Sequence, residues 1–212
     1  GMTTLTKEQS NCLLEEAFNS GCFEFYYLEL TPGLRIGEIL ALEWEDLDIK
    51  NKTLSITKQV QRIDGVLQAE TPKTKNSIRT IAISSDCATA LGRLKLRQAR
   101  GTTLMFPSPE TGTYRDQNAV TRKFKRMLRR AGLPQEVRFH DLRHTCATIA
   151  LEEGVEIKAL SSMLGHSDVA FTMNTYVHAT KKLKTTAADK MEAAFQVGYA
   201  SVMDVDCQLK NA

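Results

Sequence analysis

The sequence predicts an α+β domain, mainly helical with one small antiparallel sheet. Two observations carry this: apolar residues recur at helical spacing over most of the 212 residues, and they switch to strand-like alternation between Thr53 and Ile83. Thr6 and Gln9 have capping-box spacing, and Cys12, Leu13, Leu14 and Phe18 follow at helical period, which predicts a first helix over Lys7 to Asn19. A second apolar stretch, Phe23 to Leu30, is broken by Thr31-Pro32-Gly33, and a short helix follows from about Arg35 to Leu42. Leu54, Ile56 and Val60, then Ile81 and Ile83, predict a sheet of about three strands, with turns at Asp64-Gly65 and Lys75-Asn76. Helices resume over Asp86 to Arg97, with Ser85 as N-cap, and over Gln117 to Arg130, punctuated by Gly132 and Pro134. Phe139 to Glu153 stops at Gly154, Ile157 to Leu164 stops at Gly165, a further helix holds Tyr176, and Lys184 to Phe195 closes the series.

Composition narrows the class. Hydrophobic content of 42% and charged content of 25% are those of an ordinary globular chain. No apolar run approaches the roughly 18 residues of a membrane span, so a membrane partner is not expected. The five cysteines are widely spaced and form no C-x-x-C pair, which predicts apolar filler in a reducing cytoplasm rather than a zinc site or disulfide framework. Gly1-Met2 has no secretory character, and a glycine ahead of methionine is expected to be a cloning remnant. The net charge of +3 is small, yet nine basic residues and three acids fall between Arg115 and Thr145. Such a face attracts phosphates by counterion release, unless it is simply a solvated helix surface.

Four segments carry chemistry-bearing residues: Thr31-Pro32-Gly33-Leu34-Arg35-Ile36-Gly37-Glu38, Thr71-Pro72-Lys73-Thr74-Lys75, His140-Asp141-Leu142-Arg143-His144, and Leu164-Gly165-His166 followed by Asn174-Thr175-Tyr176. In this order and spacing the chain resembles the tyrosine recombinases of the phage-integrase family, from about residue 5 to residue 195. The resemblance implies the catalytic-domain fold of that family over residues 1–196, with 197–212 as a C-terminal tail; the chain from about Ala187 onward is expected to dock in trans or fold back in cis, unless the tail is simply disordered. It also implies site-specific cutting and rejoining of DNA through a 3′-phosphotyrosine at Tyr176. Arg35 and Arg143 would grip the non-bridging oxygens of the scissile phosphate with planar donor forks. His140, one helical turn before Arg143, would take or share the tyrosine proton, and His166 would donate to a non-bridging oxygen. Lys73, with Lys75 as its competitor, would protonate the departing 5′ oxygen. Glu38 and Asp141 resemble acids that orient the catalytic arginines. His144 and His178 stay unassigned, and Tyr26, Tyr27, Tyr114 and Tyr199 are read as half-buried aromatics.

The covalent link conserves the energy of the cleaved bond, so neither ATP nor another cofactor is expected, and with this cationic set no metal is expected. Double-stranded DNA is the expected partner, bound by four copies, with a monomer in its absence. His166 and Tyr176 are ten positions apart, which looks more like integrases of conjugative transposons and prophages than chromosome-dimer-resolving enzymes. The resemblance also implies an upstream helical domain clamping the far face of DNA; none is read in these 212 residues, so the chain alone is expected to cut poorly. Two other readings stay open: a type IB topoisomerase, which would relax DNA without sequence preference, and a DNA-binding relic that does not cut. Singly, each residue has a bland reading: Arg35 paired with Glu38 along a helix, His140 and Arg143 on a helix surface, Tyr176 as a packed aromatic.

Overall fold

A computed structural model describes residues 3–72 and 77–165. Seven helices, one 3-10 turn and five short strands occupy this part of the chain. Helix α1, Lys7–Asn19, starts where the capping box predicts, with Thr6 accepting from the Gln9 amide and the Gln9 side chain reaching back. It buries Ser10, Leu13 and Ala17, a stripe at three- and four-residue spacing. Helix α2, Phe23–Leu30, is the centre of the domain and touches α1, α3, α4 and α6. Its Phe25 and Tyr26 join Phe106, Phe124 and Phe139 in one aromatic cluster with centroid separations of 5.2–6.1 Å. Edge-to-face and offset geometry of this kind adds about 0.5–1.5 kcal/mol per pair beyond burial.

Helix α3, Ile36–Ala41, leads through a 3-10 turn at Trp44–Asp46 into the strands. The single sheet expected from alternation is in fact two. Strands β1 (Leu47–Asp48), β2 (Thr53–Ile56) and β5 (Arg79–Ala82) form an antiparallel sheet with β2 in the middle, while β3 (Gln59–Ile63) and β4 (Val66–Glu70) form a separate hairpin. Asp64 and Gly65, both at positive φ, close that hairpin as a two-residue turn. Two non-strand residues, Thr57 and Lys58, separate β2 from β3, so the strand-like run changes sheets there without a signal in the alternation.

Helix α4, Ser85–Arg97, is capped by Ser84 rather than Ser85, one residue earlier than expected, because the Ser84 hydroxyl takes the Cys87 amide. Helix α5, Gln117–Arg130, is capped by Asp116 and buries Val120, Phe124, Met127 and Leu128 against the core. It ends as expected at Gly132, where Gly132 and Leu133 amides bond the Arg129 and Leu128 carbonyls in a Schellman pattern. Helix α6, Asp141–Glu152, begins two residues later than expected because His140 occupies the N-cap. Helix α7, Ile157–Leu164, packs on α6 and ends at Gly165. The expected helices at Tyr176 and at 184–195, and the tail 197–212, lie outside the described residues.

Candidate active site

The loop between α2 and α3 sets Arg35 at the head of α3. Its amide donates to Glu38 Oε2 at 2.9 Å, and its Nη1 donates to Glu38 Oε1 at 3.0 Å. Glu38 is only 1% exposed. Its second partner is Arg79 of β5, whose Nη1 and Nη2 donate to Oε1 at 2.9 Å and Oε2 at 3.0 Å. Burial alone would raise the Glu38 carboxyl, but the Arg79 fork, with Arg35 beside it, holds it below its ordinary value. Arg79 also donates from Nε to the Met163 carbonyl at 2.8 Å, so one guanidinium joins β5, α3 and the end of α7. A Cβ on Gly165 would lie 2.9 Å from Arg79 Nη1, and Gly165 adopts φ +67°, so glycine permits both the turn and the approach.

Arg143 is turned inward and is 2% exposed. Its Nη1 donates to the Gly33 carbonyl at 2.6 Å and its Nη2 to the Leu164 carbonyl. The first of these holds the loop that presents Arg35, and the second holds the residue before Gly165-His166. Gly33 fits here because a Cβ would meet Leu164 Cδ2 at 2.6 Å and Cys146 Sγ at 3.1 Å. Burial, then the charge of Arg35, lowers the Arg143 pKa to about 10, which still leaves a full cation at neutral pH. Each terminal nitrogen of Arg143 carries a second N–H beyond the bond it makes here.

An open cavity of about 650 Å³ lies against this cluster, lined by Arg35, His140, Glu29, Arg138, Gln117 and Asn118 among others. His140 is exposed to it. Burial first, then the cations Arg143, Arg35 and Arg138, lower its pKa, with Asp141 opposing. The imidazole is therefore neutral near pH 7 and able to accept a proton. Glu29 is 1% exposed, its Oε2 has no hydrogen-bond partner, and burial pushes it well above the usual carboxylate range against the pull of Arg143. It stays protonated where an ordinary carboxylate has ionised.

The structure thus brings together three of the six expected residues: Arg35 and His140 line the cavity, and Arg143 is buried within electrostatic reach of both. Lys73, its competitor Lys75, His166 and Tyr176 lie outside the described residues. Glu38 orients Arg35, as the resemblance implied. Asp141 does not orient Arg143: it takes the Arg138 amide at 2.9 Å and the Arg138 guanidinium at 2.8 and 3.1 Å, while backbone carbonyls hold Arg143. Arg79 and Glu29 were not singled out from sequence. Arg79 shares strand parity with Ile81 and Ile83, so an arginine on the inward side of β5 was the available signal. Glu29 was visible as an acid within the apolar run of α2. Among the described residues, no cluster of His, Cys, Asp or Glu is arranged to hold a metal, and no helix is long and apolar enough to cross a membrane.

The burial of these groups has measurable consequences. Arg79→Ala leaves Glu38 buried with one partner and is expected to cost about 3–5 kcal/mol in denaturant unfolding. Arg35 is 35% exposed and leaves the Arg79 fork intact, so Arg35→Ala is expected to cost only about 0–1 kcal/mol. Equal losses from the two would contradict the division of labour. Glu29 has a raised native pKa, so its contribution favours folding below the unfolded value near 4.3 and is lost as pH rises through the native value. Glu29→Gln is neutral throughout, so its melting temperature relative to wild type is expected to climb as pH rises above the unfolded carboxylate value of about 4.3. A gap independent of pH would show that Glu29 is ionised in the native state.

Comparison with known proteins agrees with this geometry. Residues 4–182 match the Phage integrase family. The chain is 32% identical over 191 residues to "Tyrosine recombinase XerC-like" of Caldanaerobacter subterraneus subsp. tengcongensis, covering 80% of this chain and 49% of that protein. It is 30% identical over 178 residues to the ICEBs1 integrase of Bacillus subtilis, covering 79% and 48%. It therefore spans about half the length of these relatives. A solved structure of the Tn1549 transposon integrase superposes with a TM-score of 0.75 over 99% of this chain and 67% of that one, at 22% identity, a likeness of fold. With the matched family covering most of its length, the chain belongs to the phage integrase family.

Proposed function

We propose that this chain is the catalytic part of a site-specific DNA recombinase that cuts and rejoins strands through a phosphotyrosine at Tyr176, in the integration and excision of a mobile element. The observation that supports it most is the pair Arg35 and Arg143, braced by Glu38 and by backbone carbonyls, beside a neutral His140 at an open cavity. Donors held before the reaction starts are suited to charge that grows on a phosphate in the transition state. In this reading the Tyr176 oxygen attacks phosphorus, the bond to the 5′ oxygen breaks, His140 takes the phenol proton and Lys73 supplies one to the departing oxygen. His166 donates to a non-bridging oxygen. Attack by the 5′ hydroxyl reverses each transfer and frees the tyrosine. The chain acts in the cytoplasm, on double-stranded DNA, with four copies assembled on the DNA and a monomer without it. Relatives named as integrases of ICEBs1 and of Staphylococcus phage L54a, and a Tn1549 integrase solved with circular intermediate DNA, support a mobile element as the source.

The charge on α5 has a definite layout. Of the nine basic residues between Arg115 and Thr145, six have hydrogen-bond partners inside the protein, Lys125 on the Gln135 and Val137 carbonyls and Arg130 on Glu16 among them. Arg122, Arg126 and Arg129 are exposed, and their side chains take part in none of the hydrogen bonds among the described residues. They follow Asn118, at the cavity, along one face of α5 for about 17 Å. This stripe is the surface on which DNA leaving the cavity would lie.

Incubation with nicked duplexes carrying a randomised segment tests the reading. Wild-type protein is expected to give adducts that survive SDS, and Tyr176→Phe none. Adducts from both would move the nucleophile to another tyrosine; adducts from neither, even when an upstream DNA-binding domain is fused on, would leave a DNA-binding protein that does not cut. Replacing Arg122, Arg126 and Arg129 together by alanine is expected to flatten the dependence of log affinity on log salt by about 2.7, or about 0.9 for each phosphate no longer neutralised. An unchanged slope would place the DNA elsewhere.

A further inference from the structure

His140 has a feature the proposed reaction does not explain. Its ring must face the cavity to take a proton, yet the ring makes no cap bond at the head of α6 and no hydrogen bond among the described residues. An exposed imidazole without a bond turns freely about its last torsion, which is broad for such rings. The contact that limits it is with His144, one turn further along α6. The two ring centroids are 4.9 Å apart and the planes are perpendicular. His144 itself is partly buried, so its own ring is the better fixed of the two.

Resting on the recombinase reading, we propose that His144 is a positioning residue: its ring packs edge-to-face on His140 and holds that imidazole turned toward the cavity. The residues at i and i+4 lie one above the other on a helix, so the contact is built into α6 and needs no other element. A flat ring is what the geometry requires, because an edge-to-face pair is defined by two planes. The charge environment supports the same arrangement. Both imidazoles are lowered first by burial, and the His140 charge further lowers His144. The groups facing the pair are Arg143, Arg138 and Asp141 from α6 and its approach, Arg35 from the head of α3, and Glu29 from α2. With three arginines nearby, a positive charge on either ring is disfavoured, and of the two rings His140 is the one that the cavity reaches.

The test uses the full chain with histidine labelled for NMR and compares His144→Phe, His144→Leu and His144→Ala. Phe keeps a flat ring, Leu fills volume without one, and Ala does neither. In Ala and Leu, the His140 titration is expected to move upward, toward its ordinary value of about 6.5, as the ring, no longer held, turns out into water. Cleavage of nicked duplex is expected to fall about ten-fold, with DNA affinity within about two-fold of wild type. In Phe, both the titration and the cleavage rate are expected to stay close to wild type. Wild-type behaviour in Leu, or Phe as impaired as Leu, would overturn the proposal, and a fully unfolded Ala variant would leave the comparison of Phe with Leu intact. Absence of cleavage by the wild-type protein even with an upstream DNA-binding domain fused on would count against the recombinase reading alone, because the NMR titration reads the ring contact without DNA.

Discussion

One carboxylate organises this domain. Glu38 sits almost wholly out of water and is shared by two guanidiniums, Arg35 at the head of its own helix and Arg79 across the sheet. A buried carboxylate without partners would carry a penalty of several kcal/mol, so the sequence around it must deliver both arginines in register. That demand reaches far. It places β5 so that Arg79, opposite Ile56 of β2, faces α3, and it brings the end of α7 close enough for Arg79 to reach the Met163 carbonyl. The loop Thr31-Pro32-Gly33-Leu34 must then turn Arg35 back over Glu38. Elements separated by 41 residues and more are joined through a few atoms.

Arg143 performs the corresponding task from below, by a different chemistry. Carbonyl oxygens accept a guanidinium without neutralising it, so Arg143 remains charged while tying the Gly33 loop to the end of α7. Arg35 is oriented by a carboxylate and keeps about a third of its surface in water, whereas Arg143 is oriented by backbone and buried. Neither has to be drawn into place by a ligand. In the proposed reaction little reorganisation would then be left for the moment at which negative charge develops on the phosphate, the condition under which fixed donors lower a barrier most. The cluster is better understood as a device for holding geometry than as a source of net stability, since desolvation offsets much of what buried pairs contribute.

The helical part of this architecture was legible because its signals are local. Thr6 with Gln9, Gly132 with Pro134, and Gly165 mark α1, α5 and α7 at their observed ends. The sheet was legible only in outline. Alternation reports which residues face inward but not which strands pair, and β2 finds its partner in β5 across the whole β3–β4 hairpin. The site divides in the same way. Arg35, His140 and Arg143 stood out because their neighbours in sequence form a pattern. Arg79 did not, because its role depends on a carboxylate far away in the chain, and the inward parity of β5 was the single trace of it. Asp141 misled for the complementary reason: being next to Arg143 in sequence suggested a pair, but on a helix a residue at i+2 faces away, and the loop residue Arg138 curls back to take the carboxylate.

Charge was the least faithful of the sequence signals, and the reason is general. A cluster of basic residues is counted the same whether its members reach into water or fold back onto the protein, and here most fold back. Lys125 and Arg115 close off backbone carbonyls, Arg130 joins α5 to α1 through Glu16, Arg138 takes Asp141, and Arg143 supports the cavity. What is left for a long polyanion is Arg122, Arg126 and Arg129, three turns of one helix face beginning beside Asn118. A surface of three exposed arginines is modest, and non-specific attraction grows with the number of phosphates neutralised. In the proposed reading the chemistry and the hold on DNA therefore have separate sources: Arg143, buried, and Arg35, partly exposed, both locked by protein acceptors, for the reacting phosphate, and a short exposed stripe for its neighbours. In that reading a chain built this way would depend for tight binding on whatever other positive surface meets the duplex.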